Sequence, residues 1–202
     1  MMKSARLSAP ALALAVALTP AVAFAHTGVG QTTGFLHGFS HPIGGIDHVL
    51  AMVAVGLFAA QLGGRALWAV PTTFVAVMAV GGALGMAGVG LPAVEVGIAL
   101  SVLVLGLVVL AGRRWPLGLA MAMVGVFALF HGHAHGSEMP VDASGLTYGL
   151  GFMLATALLH LAGIGLGIGI GRLATSQGGR LTQASGAAIA AAGLVLLVGA
   201  LA

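Results

Sequence analysis

The stretch LPAVEVGIALSVLVLGLVVLAGRR, residues 91–114, is apolar for about 20 positions, holds a single acid, Glu95, in its first turn, and ends on paired arginines. A helix needs about 20 apolar residues to cross the hydrocarbon of a bilayer, and in lipid its backbone amides must all be satisfied within the segment. The stretch therefore reads as a membrane span. Five further windows resemble it: 43–62, 66–86, 116 to about 131, 146–171 and 181–202. The window from 116 to about 131, fourth along the chain, is short, so its helix is expected to run on into the histidines that follow. The expected fold is all-α, a polytopic membrane bundle of six transmembrane helices occupying residues 26–202.

Composition agrees. Of 202 residues 59% are hydrophobic and 5% charged, with a mean hydropathy of +1.14, against roughly one-quarter charged in a soluble domain. The high isoelectric point, about 10.7, comes from seven Lys+Arg against four Asp+Glu, and no basic stripe of the kind nucleic acid requires accompanies it. Cysteine is absent, so thiolate sites and disulfides are excluded and metal chemistry must use imidazole and oxygen.

Residues 1–25 carry Lys3 and Arg6, an apolar run from Leu7 to Val22 broken by Pro20, and Ala23-Phe24-Ala25. This is the pattern of a cleavable signal peptide, which would leave His26 at the mature N-terminus. Arg65, Arg113 with Arg114, and Arg172 with Arg180 fall in alternate connections. With an exported N-terminus these connections are cytoplasmic, as the positive-inside rule asks, in the inner membrane of a bacterium. The glycines of Gly163-Ile-Gly-Leu-Gly-Ile-Gly-Ile-Gly171 form two ridges, Gly163/Gly167/Gly171 and Gly165/Gly169, suited to close helix contact. They do not fit the G-x-G-x-x-G spacing of a nucleotide loop.

The acids Asp47, Glu95, Glu138 and Asp142 and seven of the eight histidines fall at the opposite, exported ends. Polar groups so gathered in an apolar protein are costly unless they pair or bind something. The first constellation is His41-Pro42-Ile43-Gly44-Gly45-Ile46-Asp47-His48. Pro42 suits a first helical position, with His41 as cap; His41 and His48 then share a face, and Asp47 either joins them or complements the helix dipole. The second is Phe130-His131-Gly132-His133-Ala134-His135-Gly136-Ser137-Glu138-Met139-Pro140. Here His131 and His135 are i, i+4 partners able to share an ion, with Glu138 nearby and His133 between them. The third is Thr156 with His160, one turn apart near the bilayer centre, where His160 is either a deeper station or an interhelical hydrogen bond. His26 and His37 could gather ions at the entrance. Met52, Met121, Met123 and Met153 read as gap-fillers.

Together these residues resemble the HupE/UreJ family of nickel and cobalt permeases. The resemblance rests on His41-Pro42-x-x-Gly45-x-Asp47-His48-x-Leu50-Ala51-Met52, on the segment from His131 to Pro140, and on Thr156-x-x-x-His160. It implies secondary transport of Ni²⁺ or Co²⁺ with these histidines and acids as contacts, no prosthetic group, no nucleotide and no enzymatic activity. A wider nickel/cobalt transporter group has four residues between its histidine and Asp-His where this chain has five. The expected partners are a divalent ion and the lipid bilayer, and self-association into a homo-oligomer stays open. Rival readings are a metal-binding accessory or sensor that does not transport, a bis-histidine b-type cytochrome, and an intramembrane protease. The last is weakened because Ser144 and His160 lie about 24 Å apart along one helix.

Overall fold

The computed structural model describes residues 34–139, 143–173 and 177–202; the expected leader 1–25, His26 and Asp142 lie outside them. Seven helices are present among these residues: α1 (Gly34–Gly44), α2 (Ile46–Leu62), α3 (Ala66–Met86), α4 (Val94–Ala111), α5 (Leu117–Ser137), α6 (Gly145–Leu173) and α7 (Gly178–Leu201). Helices α3 to α7 are each long and apolar enough to span a membrane. α1 and α2, bent by 81° at their break, make a sixth span if the pair is counted as one. The chain is a multi-pass helical membrane protein.

The bend corrects one expectation. His41 does not cap a helix opened by Pro42; both lie in the last turn of α1, with Pro42 buried inside it. The cap of α2 is Gly45, in an extended conformation. Residues 34–41 mix glycine, serine and histidine with two phenylalanines, too polar a stretch to extend the apolar window. Neither Gly44 nor Gly45 takes a left-handed backbone; the chain turns where α1 ends, and Gly45, extended, opens α2. A Cβ at Gly45 would stand 2.7 Å from Asp47 Oδ1.

Lipid offers no hydrophobic force between helices, so packing depends on close backbone approach and interhelical hydrogen bonds. The main pairings are α3 with α5, α4 with α7, and α6 with both α1 and α2. Each is seamed with glycine. At Gly132 an added Cβ would strike the Met78 carbonyl, and at Gly136 that of Gly82, so nothing larger than hydrogen fits between α3 and α5. Of the expected ridges on α6 only part of one packs: Gly163 meets the backbone of α2 at Val53 and Gly56, and Gly167 meets Ala60, while Gly165, Gly169 and Gly171 face open space. Gln61 Nε2 donates to the Val109 carbonyl at 2.8 Å, tying α2 to α4. Met52, Val55, Phe58, Phe74, Met78 and Leu105 fill the centre. Leu107, Val126, Leu154, Leu161 and Val195 face outward, as lipid-facing positions should.

The two ends differ in chemistry. Arg65 and Arg114 line one cavity of about 300 Å³ at one end. His41 and Glu138 meet at the other, where Glu95 lies within electrostatic reach of Glu138 and Asp47.

Candidate metal centre

The break at Gly45 sets α2 so that His48, in its first turn, is buried against α5. Because α5 continues to Ser137, His131 and His135 stand one turn apart on the face that meets it. His48 Nδ1 lies 3.2 Å from His131 Nδ1 and 3.2 Å from His135 Nε2. Three imidazole nitrogens from two helices thus converge on one point. Metal–nitrogen bonds of about 2.1 Å place neighbouring nitrogens about 3.0 Å apart at a right angle and about 3.4 Å apart at the tetrahedral angle. Both measured spacings fall between those two values.

A second group sits further out. His41 Nε2 is 3.3 Å from Glu138 Oε2, and His135 Nδ1 is 3.9 Å from the same oxygen. The ligand atoms of His41, His135 and Glu138 lie within 4.8 Å of one another, as do those of His48, His131 and His135. His135 belongs to both groups, offering one ring nitrogen to each.

The surroundings of the inner group are apolar on one side and hydroxylic on the other. Phe152 packs edge-on to His48, centroids 5.1 Å apart, and lies 4.5 Å from His135. Behind the ring nitrogens, Ser101 Oγ on α4 meets His131 Nε2 at 2.8 Å, and Thr156 Oγ1 on α6 meets His48 Nε2 at 3.3 Å. The sequence gives little sign of Ser101, a lone serine in the most apolar helix; only its polarity in that setting marks it.

The other expected site residues fall outside both groups. Asp47 Oδ1 accepts the backbone N–H of His48 at 2.8 Å, so its carboxylate complements the start of α2. His133 points the other way, its Nε2 donating to the Val89 carbonyl at 2.6 Å and fastening the connection between α3 and α4. His160 is buried with neither ring nitrogen partnered among the described residues. It lies deeper, separated from the cluster by Phe74, whose ring stands 5.8 Å from His131 and 5.2 Å from His160. Phe74 gives no sign in the sequence, because a phenylalanine in an apolar window is indistinguishable from packing. His37 stacks on His41 at 5.9 Å and neighbours Tyr148 at 6.0 Å.

The family model described as HupE / UreJ protein matches residues 14–196. The curated Protein HupE of Rhizobium leguminosarum bv. viciae is 46% identical over 199 residues, covering 98% of this chain and 100% of that protein. No solved structure matches the chain. By sequence over nearly its whole length, and with a bundle of apolar helices holding histidines at one end, the chain belongs to the HupE/UreJ family.

Proposed function

We propose that the chain is a secondary transporter carrying a divalent transition metal, Ni²⁺ or Co²⁺, inward from the histidine-bearing end of the bundle. The observation that carries this is the convergence of His48 Nδ1, His131 Nδ1 and His135 Nε2 at 3.2 Å. Nitrogens gathered from separate helices in an apolar bundle are expensive to bury unless a cation replaces the water they have lost. Imidazole with one carboxylate suits Ni²⁺, Co²⁺, Zn²⁺ and Cu²⁺ alike; the resemblance to nickel and cobalt permeases favours those two.

In this reading the ion arrives at the outer group, where Glu138, at 54% side-chain exposure, and His41 exchange for its first waters. It passes to the inner group through His135, shared by both. His160, buried with two unpartnered nitrogens, is the next station, reached past Phe74. Asp47 supports the site by holding the first turn of α2. The exported side is the histidine end and the arginine end is cytoplasmic, and the membrane potential or proton exchange drives net uptake.

A bis-histidine haem is disfavoured, since nitrogens 3.2 Å apart leave no room for a macrocycle between His48 and His131. The test is uptake of radioactive Ni²⁺ and Co²⁺ into proteoliposomes containing only this protein, with Zn²⁺ as competitor and a pH gradient as a variable. Accumulation above empty liposomes supports transport. Tight binding without accumulation would sink it in favour of an accessory or sensor role.

A further inference from the structure

The hydroxyl groups behind the inner trio decide which nitrogen of His131 and of His48 can bind an ion. A neutral imidazole has one N–H and one lone pair, and a hydroxyl has one proton to give. Ser101 Oγ spends its proton on the Ile98 carbonyl at 2.6 Å. Toward His131 Nε2, 2.8 Å away, it can only accept. His131 therefore carries its proton on Nε2 and turns the Nδ1 lone pair toward His48. Thr156 repeats the arrangement: its hydroxyl donates to Met78 Sδ at 3.7 Å, so at 3.3 Å it accepts from His48 Nε2. The His48 lone pair, too, is left on Nδ1, facing the trio. Ser101 and Thr156 are both fully buried, with no water-exposed position to which either hydroxyl could swing.

We propose that Ser101 and Thr156 are positioning residues that hold His131 and His48 in the Nε2–H tautomer, presenting both Nδ1 lone pairs to a single ion. This rests on the transport reading and adds a basis for selectivity. The inner trio is imidazole alone, the carboxylate being confined to the outer group. Three imidazole donors, two of them prealigned, suit a borderline transition ion, while Mg²⁺ and Ca²⁺ require oxygen ligands. The inner group thus rejects the abundant hard cations that Glu138 alone would admit. A hydrogen bond to the far nitrogen of a ligating imidazole fixes its orientation and raises its basicity, and removing such a partner costs about 10–100-fold in metal affinity.

The test uses the full-length protein in detergent, labelled with ¹⁵N at histidine, and nitrogen chemical shifts of the metal-free sample report the tautomers. The His131 signals are identified by their loss in His131→Gln and those of His48 by their loss in His48→Gln. Both rings are expected as Nε2–H in the wild type. Ser101→Ala should leave His131 a mixture of tautomers and weaken Ni²⁺ binding by about 10-fold or more. Ser101→Thr, which keeps the hydroxyl, should restore both readouts, and Thr156→Val should act on His48 alone. Mg²⁺ in large excess should not displace Ni²⁺. An Nδ1–H tautomer on either ring of the wild type overturns the proposal, as does a folded Ser101→Ala protein unchanged in tautomer and affinity. Should Ser101→Ala fail to fold, the wild-type and Ser101→Thr spectra still decide it. Tautomers as stated in a wild-type protein that binds neither Ni²⁺ nor Co²⁺ would support the hydrogen-bond assignment and overturn the transport reading.

Discussion

On the proposed reading, replacing His135 by alanine removes a ligand from both groups at once, because its Nε2 stands 3.2 Å from His48 Nδ1 and its Nδ1 lies 3.9 Å from Glu138. The magnitude follows from metal sites elsewhere: four ligands that bind zinc with about 12 kcal/mol in all supply about 3 kcal/mol each. At about 1.4 kcal/mol per tenfold, loss of one ligand weakens binding about 100-fold. His133 provides the control, two residues away on the same helix and equally an imidazole. Its ring is fastened to the Val89 carbonyl at 2.6 Å and takes no part in either group, so His133→Ala should stay within about threefold in affinity, by the size of a structural hydrogen bond to a loop. Ni²⁺ titration of both purified variants, with circular dichroism to confirm folding, makes the comparison. The reasoning is refuted if His135→Ala binds as the wild type does, or if His133→Ala loses as much.

Further outcomes follow from the same geometry. Glu138→Gln should raise the KM for uptake several-fold while leaving kcat nearly unchanged, since it alters the outer station and spares the inner nitrogens; proteoliposome kinetics would show a fallen kcat instead if Glu138 served the transfer itself. Gly132→Ala should prevent α3 and α5 from closing, since the new methyl would strike the Met78 carbonyl, whereas Gly165→Ala should be silent because nothing lies within 4 Å; thermal unfolding in detergent separates the two. Asp47→Ala should lower uptake only partly, by loosening the first turn of α2, a helix-end effect of about 1 kcal/mol at most when exposed; complete loss in a folded protein would mean that its carboxylate meets the ion.

The spans were legible because lipid imposes a simple rule of length and polarity. The window 66–86 coincides with α3, and the expected extension of the fourth window past His131 is found in α5. That extension makes His131 and His135 partners, so the i, i+4 spacing in the sequence carried real geometric content. The first constellation was harder. His41, Asp47 and His48 are near neighbours in the chain, yet the turn at Gly45 sends His41 to the outer group, His48 to the inner, and leaves Asp47 on the backbone. Helical periodicity cannot signal this, since it presumes an unbroken helix. The second-rank residues were out of reach for another reason: Ser101, Phe74 and Phe152 acquire their roles only through contacts between helices remote in sequence.

His135 touches both ion groups, yet a neutral ring owns just one lone pair. While Nδ1 holds a cation beside Glu138, Nε2 must carry the proton; once the cation moves to His48 and His131, that proton has to cross to Nδ1. On the proposed reading His135 therefore serves one station at a time, and changing over moves a hydrogen from the nitrogen facing His48 to the one facing Glu138.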